Sequence, residues 1–528
     1  MKKITSFFKK NNFLFIFFFL SLIYLSLAFK NPFQTNNLIS NLEPSPDVFY
    51  YSVPAWNLVH GKGFKMEAFG IGIGQISTPL YGFYLSPFFL TFNDVRSYYF
   101  ANLLLCFVSI FLFLKLVEVF LGKERPFLKF ALGLVLVTNF YFYNLPTLLM
   151  AENILIPLTL LGVILTLRKL SLMNFLLTLL TMVFLIFAKV SSLPILFIMG
   201  IVLIYKIIKS NFLKKIPKKI YWVLAILFVF FITIAFIRIV LPGLRALPKA
   251  SDNFSINYIG KTLPIFLKEF LGINGSYLWF NNQQIEQIIG LVCLVGMFLG
   301  LILKKYRNNV LILMSFIFSV TLFHSMMSYP EGRYISTVIP LFLLFSGIIL
   351  KQLKSSIWVF LFLAIYFLPK VTVNGFYERK ATTLKRQIFN NRLENNEVPW
   401  NYMAISSFNK FFDKKNEDVY FGSLLPPFYF YYFSNNNYQY LPISERQEFG
   451  GGRDYLNKVY QKDGNLLSYY ERLLESGKHI YISNYYFQNN RYWVEDYKKL
   501  ETKFVFSEMN NDCMGLCRIY EVKLKDVK

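Results

Sequence analysis

Apolar residues fall along this chain in runs of roughly 17–22, with some shorter ones, the length that crosses a hydrocarbon core as helix. Runs at 13–29, 98–121, 130–143, 148–167, 172–188, 194–205, 221–241, 285–303, 310–327, 334–350 and 357–368 read as spans, about eleven in all. A further run at 79–92 is short for a span and carries Pro79 and Pro87. It better suits a re-entrant or surface-lying segment. From about residue 370 the sequence turns polar and rich in Tyr and Asn, with no further run of membrane length. Short β-like runs follow at 419–422, 438–441, 479–483, 503–506 and 518–522, with helical patterns at 466–476 and 492–500. The pattern predicts a polytopic α-helical membrane protein over residues 1–370. An α/β domain of the C-terminal residues 371–528 follows, opened by an amphipathic linker helix over 371–394. No repeat of fixed period is visible.

The formal net charge of +25 suggests nucleic acid only until its distribution is considered. Many of the Lys and Arg residues lie in short clusters between apolar runs, which is how a membrane protein fixes its orientation, and no nucleic-acid partner is implied. Lys2, Lys3, Lys9 and Lys10 precede the first run and place the N-terminus in the cytoplasm. Almost every later basic cluster then falls on that side, most strongly 206–219. The stretches 30–97 and 242–283 and the C-terminal domain fall outside. No A-x-A-like site follows the first run, so it reads as a retained anchor. Cys106 and Cys293 lie in apolar runs and read as core residues, whereas Cys513 and Cys517 can pair if their domain is extracytoplasmic, across a tight i,i+4 loop.

Four polar features fall on the external side near membrane interfaces. Asp47, with Tyr50 and Tyr51, opens PDVFYYSVPAWNLVHGKG, where a carboxylate can serve as a general base or simply cap a short surface helix. Glu152 sits at the outer end of a span, as a substrate or metal contact or as an interfacial acid. Lys189 follows the run 172–188 and either binds phosphate or snorkels to the interface. Arg333-Tyr334 follows Glu331-Gly332, and an external Arg beside a span opposes the positive-inside trend. It can pair with a lipid-linked phosphate or with Glu331 at the surface. His324, upstream, is a hydrogen-bonded core residue or a metal ligand. The stretch EFGGGR at 448–453 lacks both the strand–GxGxxG–helix context and the Walker Lys-Ser/Thr, so it reads as a loop and not a nucleotide cradle.

The motifs Asp47-x-x-Tyr50-Tyr51 with Gly61-Lys62-Gly63, Thr78-Pro79-Leu80-Tyr81 leading to Pro87, Ala151-Glu152, and Arg333-Tyr334-x5-Pro340 stand in order along the chain. In that order and sidedness, residues 1–370 resemble the GT-C superfamily of integral-membrane glycosyltransferases. The nearest branches are the protein O-mannosyltransferase-like and aminoarabinose-transferase-like ones. The resemblance implies an inverting enzyme of a bacterial-type inner membrane, using a polyprenyl-phosphate sugar on its external face. Asp47 would then be the catalytic base or acceptor-positioning residue. Glu152 would place the acceptor, a glycolipid or protein, or else a divalent cation, with His324 as a second candidate ligand. Lys189 and Arg333 would neutralise the leaving phosphate.

Two departures from the family pattern stand out. Many relatives carry a second acid directly after the first, where this chain has Val48, and Pro54 is expected to interrupt the short helix after Asp47. The alternatives from other classes are a transporter or flippase of a lipid-linked glycan, which calls for internal symmetry that the sequence lacks, and a catalytically silent scaffold with a receptor-like outer domain.

Overall fold

The computed structural model describes residues 12–29, 31–33, 47–69, 71–72, 79–123, 125–210, 233, 254–271, 283–328, 330, 332–353, 355–371, 401–414, 418–425, 427–443, 463–485, 491–509 and 518–525. The N-terminal lysines, Thr78, Glu331, the stretch 448–453, Cys513 and Cys517 lie outside the described residues, as do the run 221–241 apart from Thr233 and the expected linker beyond residue 371.

The helical body runs α1 (Asn12–Ala28), α2 (Asp47–Val59), a hairpin of β1 (Glu67–Ala68) and β2 (Ile71–Gly72), α3 (Pro79–Phe92) and α4 (Tyr98–Leu121). It continues with α5 (Pro126–Val137), α6 (Phe140–Asn144), α7 (Glu152–Leu167), α8 (Leu172–Ala188) and α9 (Leu193–Ser210). Then come α10 (Ile259–Phe270), α11 (Gln283–Ile302), α12 (Arg307–Ser325), α13 (Ile339–Gln352) and α14 (Ser356–Val371). Among the described residues, the stretches Val95–Leu121, Val190–Ser210 and Arg307–Ser325 are long and apolar enough to cross a membrane. A bent pair of helices makes a fourth if taken as one span, and six apolar helices of 10–17 residues accompany them. Each expected run other than 221–241 overlaps one or more of these helices, the run 334–350 only from Ile339.

Three departures from the sequence pattern have local causes. The run 130–143 is a broken helix and not a straight one: it bends by 58° between Pro126–Val137 and Tyr141–Thr147. Asn139 adopts an extended backbone there, and its side chain accepts from Phe142 N, which starts a new helix in place of continuing the old one. The run expected to be helical from 148 becomes helix only at Glu152, because the Leu148 carbonyl is taken by the side-chain amides of Asn102 and Asn153, at 2.9 and 2.8 Å. Pro54, expected to interrupt its helix, lies inside a continuous α2. Proline's fixed φ suits a helix and its missing N–H removes one bond, and the burial of Phe49, Val53 and Ala55 around it offsets that loss.

The hub of the body is α4, which packs against α1, α3, α5, α7 and α13. It starts from a 3-10 turn, Val95–Ser97, whose cap Asp94 accepts from Arg96 N and pairs with the Arg96 guanidinium at 2.6 Å. Near its other end Glu118 takes Lys129 at 2.6 Å and Lys115 at 3.2 Å, so a nearly buried carboxylate has both oxygens paired. At the same end, Lys351 donates to the Leu121 carbonyl and Arg125 to the Leu350 carbonyl at 3.3 Å.

The C-terminal portion contains α15 (Asn401–Phe411), β3 (Val419–Gly422), α16 (Pro427–Phe433), β4 (Gln439–Leu441), α17 (Leu466–Glu475), β5 (His479–Ser483), α18 (Arg491–Lys503), β6 (Phe504–Glu508) and β7 (Ile519–Leu524). The strands form one mixed sheet in the order β4-β3-β5-β7-β6. Its β3–β4 and β3–β5 pairings are parallel, and β5–β7 and β6–β7 antiparallel. α17 buries Leu466, Tyr470 and Leu473, one stripe at helical spacing, and Asn465 caps it by accepting from Ser468 N. Every β-like run of the sequence is a strand here.

Close helix approach in the body depends on small residues. A Cβ on Gly296 of α11 would stand 2.0 Å from the Phe345 carbonyl oxygen of α13. Gly296→Ala is therefore expected to lower stability by about 1–3 kcal/mol, the clash outweighing the helix-propensity gain. Gly260→Ala, with nothing within 4 Å of the new atom, is expected to be neutral or stabilising. Thermal unfolding of the two variants in detergent checks this; equal midpoints would show that α11 and α13 are not packed as described.

Candidate active site

The site is assembled where α7 begins, α8 ends and the chain turns between α12 and α13. Glu152 is the first residue of α7 and is 2% exposed. The extended segment before it is pinned from α4: Tyr98 donates to the Thr147 carbonyl at 2.6 Å, and Asn102 holds Leu148 while accepting from Tyr81 at 2.7 Å. Lys189 is the C-cap of α8, where the backbone leaves the helix in an extended conformation, and Ser192 fixes the exit by donating to Leu185 O at 2.7 Å. The Lys189 ammonium meets Glu152 Oε1 at 2.6 Å. Glu152 Oε2 is buried with no hydrogen-bond partner among the described residues.

Arg333 lies in the 3-10 turn Gly332–Ile335. Its Nη1 is 3.4 Å from Met150 Sδ, and its guanidinium lies over the Tyr334 ring at 5.3 Å. Tyr334 in turn stacks on His324 with centroids 5.0 Å apart and planes within 10°. His324 is buried, and its Nδ1 has no hydrogen-bond partner among the described residues. Both Arg333 and Lys189 lie within electrostatic reach of Glu152, as does His324. Tyr51, one turn into α2, is near enough to Lys189 to feel its charge, and its ring meets Tyr81 edge-on at 5.8 Å.

Of the residues singled out from the sequence, Tyr51, Glu152, Lys189, His324, Arg333 and Tyr334 come together. Tyr50 is half-buried on α2. Asp47 is the first residue of α2, and its side chain lies outside the described residues. Sequence reasoning missed Tyr141 and Ser336, whose buried hydroxyls border the same cluster. Tyr141 hides in the aromatic run NFYFYN, where only the Asn139 cap gives a hint of a break.

Among the described side chains the cluster sets one carboxylate, Glu152, against two cations, Lys189 and Arg333, and two cations in a largely buried place suit an anionic ligand. It fits a metal less well. Among the described residues no group of three or more His, Cys, Asp or Glu side chains gathers as a metal would need. The ammonium of Lys189 also already occupies one oxygen of Glu152.

Removing one member of a buried ion pair leaves the other charge uncompensated. Glu152→Gln or Lys189→Met alone is expected to cost about 2–4 kcal/mol, the lower side of the buried-pair range because Lys189 retains some exposure. The double variant should recover much of that loss. Unfolding midpoints of the four proteins in detergent form the cycle, and strictly additive losses would mean the pair is not coupled.

No protein-family model and no curated protein matches the sequence. Solved structures do match in fold. ArnT from Cupriavidus metallidurans in the apo state superposes with a TM-score of 0.60 at 11% identity, covering 96% of this chain and 97% of that one. The same protein bound to undecaprenyl phosphate gives 0.60 at 10% identity, covering 97% and 98%. The oligosaccharyltransferase AglB from Archaeoglobus fulgidus, in complex with an inhibitory peptide and a dolichol-phosphate, gives 0.50 at 11% identity, covering 99% of this chain and 75% of that one. ArnT, an aminoarabinose transferase, and AglB are both membrane glycosyltransferases of the GT-C superfamily, and the architecture of this chain is similar to theirs along nearly its whole length.

Proposed function

We propose that the chain is an inverting glycosyltransferase that moves a sugar from a polyprenyl-phosphate donor to an acceptor hydroxyl on the external face of a bacterial-type inner membrane. The observation that carries this reading is the convergence of Glu152, Lys189 and Arg333 from three separate segments into one buried cluster that holds two cations. Such a cluster can receive the phosphate of a lipid carrier. The likeness in fold to a protein crystallised with undecaprenyl phosphate supports the same donor class.

In this reading Asp47 opens α2 one turn before Tyr51, which reaches the cluster. The Asp47 carboxylate takes the proton of the acceptor hydroxyl. The oxygen so activated forms a bond to the anomeric carbon while the bond from that carbon to the phosphate oxygen breaks, and configuration inverts. The electron pair leaves on the lipid phosphate, whose developing charge is stabilised by Lys189 and Arg333. Glu152 holds Lys189 in place and positions the acceptor, while Tyr50, Tyr51 and Tyr334 line the sugar. Lys189 holds one oxygen of Glu152 here, and the steps above are carried by the chain's own side chains. The acceptor is a glycolipid or a protein, and residues 371–528, the extracytoplasmic domain in this reading, have a place in choosing it.

The test compares wild type with Asp47→Asn in membranes supplied with radiolabelled polyprenyl-phosphate sugars. Loss of a general base is expected to slow transfer by about 10²–10⁴-fold in a variant that still inserts and folds. Arg333→Gln is expected instead to raise the donor KM by about tenfold or more, as loss of a charge-assisted contact does. Equal transfer by wild type and Asp47→Asn would remove Asp47 from the chemistry. Movement of labelled lipid across vesicles without any transfer would favour the flippase alternative.

A further inference from the structure

The short helix α16, PFYFYYF, has two working faces. Phe430 turns toward its own sheet domain, packing on Phe421 at 6.1 Å and Tyr440 at 5.0 Å. Tyr431 and Tyr432 turn the other way, onto the first external loop. Tyr432 meets Trp56 edge-on at 5.4 Å, and both tyrosines lie 6.2 Å from the Phe49 ring.

The hydroxyls add direction to this contact. Ser52 Oγ donates to the Val48 carbonyl at 2.7 Å, which uses its only hydrogen. The 2.5 Å contact between Ser52 Oγ and Tyr432 Oη therefore has the tyrosine as donor. A chain of two hydrogen bonds thus runs from Tyr432 through Ser52 to Val48, the residue next to Asp47. Tyr431 donates to Asn57 Oδ1, and Asn57 Nδ2 donates onward to the Lys65 and Glu67 carbonyls at 2.9 and 2.7 Å. Burial pushes the Tyr431 hydroxyl up to about 12, so it stays a donor at neutral pH. The hairpin after α2 is drawn into the same contact. Phe69 holds a left-handed backbone with φ of 51°, a strained state for a bulky residue, and its ring stacks on Tyr440 at 5.4 Å.

We propose that Tyr431 and Tyr432 are positioning residues of the transferase: they fix, through Ser52, Val48 and Asn57, the helix that Asp47 opens, and so make the C-terminal sheet domain a working part of the active site. The proposal rests on the catalytic reading of Asp47 given above. Because the hydrogen bonds reach the first turn of α2 and the hairpin beyond its end, loosening them frees both ends of the segment while its apolar packing remains.

The test uses full-length protein in lipid nanodiscs and three variants: Tyr432→Phe, Tyr431→Phe and, as control, Tyr470→Phe. Tyr470 donates to the Pro442 carbonyl at 3.0 Å within the sheet domain, so its variant loses a buried hydroxyl bond of the same kind away from the contact with α2. Tyr432→Phe is expected to speed backbone hydrogen exchange over residues 51–59 by up to about tenfold. It should lower kcat by a comparable factor while leaving the donor KM within about twofold. Tyr431→Phe should act in the same direction, with its exchange effect extending to residues 65–69. Tyr470→Phe should change neither reading. Unchanged exchange in Tyr432→Phe, faster exchange with unaltered kcat, or an equal effect from Tyr470→Phe would each overturn the positioning role while leaving the transferase reading intact. A wild type that transfers no sugar from any polyprenyl-phosphate donor would sink the transferase reading, and the positioning role with it.

Discussion

A carboxylate and an ammonium meet at 2.6 Å between the start of one apolar helix and the end of the next, and the arrangement of the site follows from that pair. Glu152 stands at the N-terminus of α7, where unsatisfied N–H groups and the helix dipole favour negative charge. Lys189 stands at the C-terminus of α8, where the dipole favours positive charge. Two adjacent antiparallel helices so offer each charge a favourable end before the charges pair with one another. This offsets part of the desolvation penalty that makes a buried ion pair expensive. Arg333 then adds a second cation to a place already organised around charge.

Holding Glu152 there requires that α7 begin late. The cost is a stretch of non-helical backbone, Leu148 to Ala151, in which the Met150 and Ala151 carbonyls accept from N–H groups of α7 but the Leu148 carbonyl does not. Asn102 on α4 and Asn153 on α7 both donate to the Leu148 carbonyl, Tyr98 on α4 holds the Thr147 carbonyl just before it, and Tyr81 on α3 donates to the side-chain oxygen of Asn102. Irregular backbone among buried helices is tolerated only where partners of this kind exist. The hub helix α4 is thus both the packing centre of the body and the mould for the chain that carries the acid.

The sequence made some of this legible and hid the rest for physical reasons. Glu152, Lys189 and Arg333 stand out because each is a charge beside an apolar run. Their meeting is implied only by the family resemblance, since nothing in a linear pattern brings residue 333 to residue 152. Asn102 and Asn139 look alike in sequence, each one polar residue in an apolar run. Only the structure separates the one that braces a neighbouring segment from the one that breaks its own helix. The strands of the C-terminal sheet were readable from short β-branched and aromatic runs between polar loops. α16 was not, because PFYFYYF is aromatic all round and has no helical period. A helix buried on both faces, between its own sheet and α2, has no polar side to betray it.

The large positive charge of the chain takes two different physical roles at the two ends of the helices. At one end Lys351, Arg125 and Lys206 donate to the carbonyls that close α4, α13 and α7. These cations satisfy orphan acceptors and complement helix dipoles, so the local charge is spent on the protein's own backbone. At the other end Lys189 and Arg333 face a single carboxylate and border the buried hydroxyls of Tyr141 and Ser336. There the side-chain partner of Lys189 is a carboxylate, not a helix carbonyl. Composition alone reports only the sum of these two populations, whereas their partners, backbone carbonyls at one end and a buried carboxylate at the other, distinguish them.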